Sequence, residues 1–162
     1  MSNYELRISC RKKGFTLVEL IFVIAIFAIL FGMGAVALGN FVTNQALVIA
    51  KDQLVQNLRE ARTFSMTQHH DSKWGIYLNT ASHPDHLVLF QGNSYVGRDS
   101  SFDMTTEFHK SVTFSNINLA GGGQEIIFDK RTGQTGDYGS IQLSAVGENV
   151  EISVNGLGII NF

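Results

Sequence analysis

The most apolar stretch of the chain lies near its beginning. Among the 24 residues of 15–38, only Thr16 and Glu19 are strongly polar. A helix of that length measures about 36 Å, and the hydrocarbon core of a bilayer is about 30 Å thick. The pattern predicts a transmembrane helix, which we place at 15–39.

Apolar residues return at helical spacing beyond this span. They are Leu47, Leu54, Val55, Leu58 and Ala61, with Lys51, Asp52, Arg59 and Glu60 available for the opposite face. No proline interrupts the chain between the span and Pro84. The spacing predicts that the helix continues to about Thr67 as an amphipathic helix whose apolar seam is covered by the rest of the domain.

The remainder of the chain has the pattern of short strands between turns rich in Gly, Asn, Asp and Ser. The predicted strands are 73–78, 87–91, 112–114, 126–129, 141–143, 150–154 and 159–162. Residues 150–154 alternate between apolar and polar, which is typical of a half-buried antiparallel sheet. The predicted fold class is α+β. A long N-terminal helix, half transmembrane and half amphipathic, packs on an antiparallel β domain of about six or seven strands, and 40–162 form one globular domain.

Four basic residues lie just before the predicted span. Arg7, Arg11, Lys12 and Lys13 precede it, so the positive-inside rule places the N-terminus in the cytoplasm and the globular domain across the membrane. A secretory signal peptide carries its cleavage site after the apolar stretch. Here the candidate processing site, Gly14, comes before it, so cutting there removes the basic leader 1–14 and keeps the helix.

The segment Gly14-Phe15-Thr16-Leu17-Val18-Glu19-Leu20 behind a basic leader resembles the class III signal of type IV prepilins and pseudopilins. The resemblance implies that prepilin peptidase cuts between Gly14 and Phe15 and methylates the new amine. It also implies assembly into a hetero-oligomeric fibre with other pseudopilins or pilins on an inner-membrane assembly platform, with an assembly role for Glu19. The alternative is an ordinary signal anchor. It leaves unexplained a charged Glu19 inside the span, which is costly without a partner such as the Phe15 amine.

A stripe of small residues also runs along the span. Ala25, Ala28, Gly32, Ala35 and Gly39 recur at steps of three and four, which lets a neighbouring helix approach closely. We therefore predict that Ala25, Ala28 and Gly32 act in assembly. The alternative is the general abundance of Ala and Gly in membrane helices.

Later features are similar to the minor pseudopilin H, or FimT-like, branch of this superfamily. They are Arg59-Glu60-Ala61-Arg62, Trp74-Gly75-Ile76-Tyr77 and the strand Ile127-Phe128-Asp129 leading to a glycine-rich hairpin at 133–139. The resemblance implies a long helix with a two-sheet β domain and a structural protein that is no enzyme.

Two groups of residues contain side chains that can bind metal ions, but neither has the spacing of a known metal site. His83, Asp85 and His86 lie beside Pro84 without thiolates, and Asp99, Asp103 and Glu107 lack the alternating ligands and glycine of an EF-hand loop. The glycines 121–123 indicate a flexible hairpin, because no Lys-Ser or Lys-Thr follows them as in a phosphate-binding loop. We therefore expect no metal, no cofactor and no catalytic residues.

The charge of the chain bears on which classes of partner it can bind, and its cysteine content bears on disulfide formation. The leader carries four basic residues and one acidic residue, so its removal takes the formal charge from −2 to −5. After residue 40 there are eight Lys and Arg against twelve Asp and Glu, which makes nucleic acid an unlikely partner. The only cysteine, Cys10, lies in the leader, so the processed chain would have no disulfide.

The sequence therefore predicts a minor pseudopilin of a type II secretion system. We expect it in the inner (cytoplasmic) membrane as a single-pass protein with a periplasmic or extracellular domain, and in an assembled fibre. The alternatives are a minor type IV pilin, including a DNA-uptake (competence) pilin, and a membrane-anchored β domain that never assembles.

Overall fold

The computed structural model describes residues 14–162, without the side chains of 33–43. Residues 1–13 of the basic leader, with Cys10, therefore lie outside the described residues, and nothing is described of the packing of Ala35 and Gly39 in the predicted small-residue stripe. The chain divides into two compact units, Met1–Leu38 and Gly39–Phe162.

One long helix, α1, covers Leu17–Met66 and ends one residue before the predicted position. In the second unit its apolar seam is buried, as the spacing predicts. The buried seam consists of Ala46, Leu47, Ala50, Leu54, Val55, Leu58 and Ala61. The prediction of an amphipathic, covered helix is confirmed in this unit.

Hydrogen bonds from later residues hold the C-terminal end of α1 in place. The hydroxyl of the fully buried Ser65 accepts a hydrogen bond from the Trp74 amide at 2.9 Å, and the Ser65 carbonyl accepts one from the Arg131 amide at 3.0 Å. A 3₁₀ turn, His69–Asp71, follows, and the Trp74 indole nitrogen donates to the His69 carbonyl at 3.0 Å. Such bonds satisfy backbone groups that a helix terminus leaves without intrahelical partners.

Eight strands follow among the described residues. They are β1 (Trp74–Asn79), β2 (His86–Gln91), β3 (Asp99–Glu107), β4 (Thr113–Leu119), β5 (Glu125–Phe128), β6 (Gly139–Ala145), β7 (Glu148–Val154) and β8 (Ile160–Asn161). They form two antiparallel sheets of four strands with the orders β3-β2-β1-β5 and β4-β6-β7-β8. The predicted α+β fold class is confirmed.

A single buried cluster joins the helix seam to the inward faces of both sheets. The first sheet contributes Trp74 and Ile76 to this cluster, among others. The second sheet contributes Ile141, Leu143 and Ile152. Alternation along β6 and β7 sends every second side chain into this cluster. The apolar side of α1 and the two sheets therefore share one core.

The strand β3 was not predicted, which is why the expected count of six or seven falls short of eight. Residues 99–107 contain only two large apolar side chains, Phe102 and Met104. The segment pairs with β2 at the edge of the first sheet, where most of its side chains are exposed or half-buried. An edge strand needs little apolar content, so periodicity did not detect it.

The glycine-rich hairpin predicted at 121–123 is wrong, whereas the one predicted at 133–139 is present with a single antiparallel bridge. The segment 121–123 joins β4 to β5, and these two strands belong to different sheets. The segment 133–139 makes one antiparallel bridge, Thr135 with Phe128, before the chain enters β6 in the second sheet. Glycine marks a turn, but it does not specify which strand pairs with which.

The buried carboxylate of Asp85 links the two sheets through a hydrogen bond. Asp85 is 3% exposed, and its Oδ2 accepts a hydrogen bond from the Phe114 amide at 2.8 Å, while its carbonyl accepts one from the Phe108 amide at 3.1 Å. These bonds fix Phe108, which follows β3, and Phe114 of β4 to the loop that precedes β2. The role of Asp85 in the described chain is thus structural.

The buried seam gives a prediction about stability. We expect a fragment that begins at Asn40 to be soluble, monomeric and folded, with both helix and strand in its circular dichroism spectrum. Leu54→Asp places an unpaired carboxylate in a site with no exposed surface and should cost on the order of 3 kcal/mol or more, against a typical domain stability of about 5–15 kcal/mol.

The matched control is Val48→Asp, because Val48 lies on the same helix with 49% of its side chain exposed. Urea denaturation should show a large loss of stability for Leu54→Asp and a small one for Val48→Asp. If Leu54→Asp and the parent fragment have the same free energy of unfolding in urea, this face of the helix does not belong to the core.

Candidate processing and assembly site

The first turn of α1 is capped by a threonine. Residues 14–16 are not helical, and α1 begins at Leu17. The Thr16 hydroxyl accepts a hydrogen bond from the Glu19 amide at 3.2 Å, and the Thr16 carbonyl accepts one from the Leu20 amide at 3.2 Å. Thr16 is therefore the N-cap of the helix, with Glu19 at the third helical position, which is the spacing of a capping box.

Glu19 is the only charged residue in 14–32, and its side chain is exposed. Its carboxylate lies in the first helical turn, where the partial positive charge of the helix dipole favours an anion. The sequence prediction for Glu19 rested on its place within the apolar span. The structure adds a local reason why an acid is tolerated there.

The predicted cleavage site lies just outside the cap. Gly14 and Phe15 are both exposed in non-helical backbone, and Phe15 is 85% exposed. A Cβ added at Gly14 would meet no atom of the described residues within 4 Å, so their packing does not require glycine at that position. A cut between Gly14 and Phe15 would leave Thr16 and its hydrogen bond in place.

The apolar side chains of the first unit are open on every side of the helix. All large apolar residues from Phe15 to Phe31 are 43–85% exposed. Exposed apolar surface of this extent marks a contact with lipid or with other proteins.

Among residues 14–162, the structure contains no helix with both the length and the apolar character needed to cross a membrane. The last part of the predicted span, 33–39, falls where side chains are outside the described residues.

The predicted assembly residues Ala25, Ala28 and Gly32 all lie on α1 and are exposed. Their spacing of three and four places them on one side of the helix. Among the described atoms, none lies within 4 Å of a Cβ added at Gly32. Their role in assembly remains a prediction.

The side chains considered for metal binding contact different partners within the chain. His83 Nδ1 lies 3.5 Å from Asp85 Oδ1, whereas the two ring nitrogens of His86 face Asn79 and Ser82 at 3.1 and 3.3 Å. Asp99 accepts hydrogen bonds from Ser101, which lower the pKa of its carboxyl group. Across residues 14–162, no group of three or more His, Cys, Asp or Glu side chains is arranged to hold a metal ion.

Sequence reasoning missed the role of Thr16. The signal was present in the order Thr16-Leu17-Val18-Glu19, because a hydroxyl residue followed three positions later by Glu is the pattern of a capped helix start. It was obscured by the same residues serving as a processing signal.

Comparison with known protein families adds one finding. The family model described as the prokaryotic N-terminal methylation motif matches residues 9–35. Residues 9–35 thus carry a type IV pilin-like prepilin signal. The signal supports a protein that is processed by prepilin peptidase and assembles with other pilins, and it points to a structural protein and not to an enzyme. The comparisons with curated proteins and with solved structures found no match.

The cap gives a prediction about local order. Thr16→Ala removes the oxygen that accepts from the Glu19 amide and should cost about 1 kcal/mol of local helix stability, which corresponds to roughly fivefold faster hydrogen exchange. Exchange at the amides of Glu19 and Leu20 in detergent-solubilised protein is the measurement. Thr16→Ser keeps the hydroxyl and serves as the control. If both variants exchange at the parent rate, Thr16 does not cap the helix.

Proposed function

We propose that this chain is a minor pseudopilin, a structural subunit of a type II secretion pseudopilus. In this proposal the peptidase removes 1–14, residues 15–39 span the inner membrane, and 40–162 form the exported domain. The observation that carries the proposal is the prepilin signal at 9–35, which includes the apolar start of α1 with Glu19 as the only charge in 14–32. The two-sheet domain packed on the second half of α1 agrees with the fold that resemblance to the pseudopilin H branch implies.

The assembly mechanism follows from charge and apolar surface. A lone subunit exposes the whole apolar surface of 15–32, which lipid covers before assembly and neighbouring helices cover in the fibre. Cleavage places a positive amine on Phe15, four residues before Glu19. A neighbouring helix displaced along the fibre axis can bring its Phe15 amine to this carboxylate, so neither charge is left unpaired among apolar side chains.

A minor type IV pilin, including a competence pilin, shares the same signal and the same assembly step. The ion pairs of the exported domain do not favour a DNA-binding role. Among the cations of the exported domain, Lys51, Lys73, Arg98 and Lys130 each lie within 4.0 Å of a carboxylate. Four of its eight basic residues are thus at least partly neutralised within the chain.

The proposal predicts that Glu19→Leu inserts into the membrane, is cut between Gly14 and Phe15, and keeps a folded exported domain, yet fails to enter the fibre. The side chain is exposed and removing its charge favours insertion, so only a step that needs the charge should suffer. Processed protein in the membrane fraction and protein in sheared filaments are compared with wild type. Assays of enzyme secretion, twitching and DNA uptake on the same strains identify the machine that is lost.

The matched control is Glu60→Leu, which removes an exposed carboxylate from the same helix inside the exported domain. It should enter filaments at the wild-type level. Full recovery of Glu19→Leu in filaments would exclude Glu19 from assembly, and absence of the wild-type protein from every filament fraction would exclude the proposed function.

A further inference from the structure

One imidazole ring connects the two ends of the loop between β1 and β2. His86 is the first residue of β2 and is half-buried, and both of its ring nitrogens have partners. Nε2 lies 3.1 Å from the side-chain nitrogen of Asn79, the last residue of β1. Nδ1 lies 3.3 Å from the Ser82 hydroxyl and 3.5 Å from the Pro84 carbonyl oxygen.

These partners require one tautomer of the neutral ring. The Asn79 side-chain oxygen accepts a hydrogen bond from the Ala81 amide at 2.9 Å, so the atom of Asn79 that faces His86 is the nitrogen, which can only donate. Nε2 of His86 must therefore accept. The Pro84 carbonyl can only accept, so that contact requires a proton on Nδ1. Both contacts assign the Nδ1–H tautomer to neutral His86.

Protonation of His86 is incompatible with this arrangement. In the imidazolium form both ring nitrogens donate, so Nε2–H would face the Asn79 amino group at 3.1 Å, with a donor on each side. Turning the Asn79 amide over would offer Nε2–H an acceptor, but it would direct the amino group at the Ala81 N–H. The protonated ring therefore competes with Ala81 for the same amide oxygen.

A carboxylate on the neighbouring strand offers the protonated ring a different partner. His86 lies opposite Glu107 in the register of β2 and β3. The next pair along is hydrogen-bonded, because the Phe108 amide donates to the Asp85 carbonyl, so His86 and Glu107 form a non-hydrogen-bonded pair. In such pairs the Cβ atoms are close, about 4.5–5.5 Å apart. Glu107 is exposed, and among the described residues no Lys, Arg or His side-chain nitrogen lies within 4.0 Å of its carboxylate.

The other groups around the ring are uncharged or have partners of their own. On β1 the residue that faces the ring, Asn79, is uncharged. Within the loop, His83 Nδ1 lies 3.5 Å from Oδ1 of the buried Asp85, so protonation of His83 strengthens an existing contact. Beyond β3, His109 Nδ1 lies 2.8 Å from the Ser111 hydroxyl. Glu107 is thus the carboxylate available to a protonated His86.

We propose that His86 is a pH-sensitive switch of the β1–β2 loop. When neutral, it accepts from the Asn79 amino group and so keeps the Asn79 oxygen on the Ala81 amide. When protonated, it turns to Glu107 and releases Asn79 and the loop 80–85. Imidazole changes its charge between about pH 5 and 8, so acidification through this range loosens the loop. The switch depends only on contacts within the β domain and goes beyond the proposed function.

The tautomer is tested by long-range proton–nitrogen correlation NMR of the imidazole rings in the detergent-solubilised full-length chain at about pH 8, where imidazole is neutral. We expect the proton of His86 on Nδ1. His109 is the internal control, because its Nδ1 accepts a hydrogen bond from the Ser111 amide at 3.3 Å and its proton must lie on Nε2. His86→Gln identifies the His86 signals. A proton on Nε2 of neutral His86 would overturn the inference.

The switch itself is tested by hydrogen exchange at the Ala81 amide in the same protein. Exchange is expressed as a protection factor, which removes the intrinsic effect of pH on the exchange rate. Between about pH 8 and pH 5 protection should fall about fivefold, as expected for the loss of one hydrogen bond. His86→Gln should abolish this change and His83→Gln should leave it. Constant protection in the parent, or an unaltered change in His86→Gln, would show that His86 is not the switch.

The role of Glu107 is tested by removing its charge. Glu107→Gln should move the change in Ala81 protection to lower pH by about 0.2–0.7 units, which is the effect of losing an exposed ion pair. Glu151→Gln is the matched control, because Glu151 is an exposed carboxylate on β7 of the other sheet, and it should cause no displacement. Equal pH dependence in Glu107→Gln and the parent would overturn the exchange of partners. Unchanged NMR signals outside the loop verify that each variant is folded.

Discussion

The uncovered apolar surface of the first half of α1 is the constraint on which the rest of the account depends. Its large side chains from Phe15 to Phe31 contact little of their own chain, so this half of the helix requires lipid or other proteins around it. Within that surface there is one charge, Glu19, placed in the first turn by the Thr16 cap. An apolar helix with a capped N-terminus and one carboxylate in its first turn fits the proposed function, in which the subunit passes from the membrane into a fibre.

The second half of the same helix has the opposite character, because the domain folds around it. Leu54 and Leu58 have no exposed surface, and their cluster joins both sheets. The connections between the sheets are fixed by buried or half-buried carboxylates that accept backbone hydrogen bonds, from Phe114 to Asp85 and from Ile127 to Asp137. The domain is therefore stabilised independently of whatever covers the first half of α1. In the proposed function, this separation would let a subunit keep its fold while its helix passes from lipid to protein.

The sequence predicted the features that depend on periodicity and on local chemistry. The seam of α1, the end of the helix and the half-buried strands of the second sheet follow from apolar spacing alone, and the processing signal follows from a short motif. What it did not predict depends on long-range pairing. The strand β3 is polar because it lies at an edge, and the glycines at 121–123 mark a turn between two sheets, a distinction that local sequence does not carry.

The central claim is that removal of 1–14 creates a helix that starts at Phe15, keeps the Thr16 cap and places a free amine near Glu19. The most direct measurement is the intact mass of the protein extracted from membranes of cells that contain the peptidase, with sequencing of its N-terminal peptide. The account predicts a chain that begins at Phe15 and carries one added methyl group on its amine. A mass that retains 1–14, or an N-terminus beyond residue 38, would contradict it.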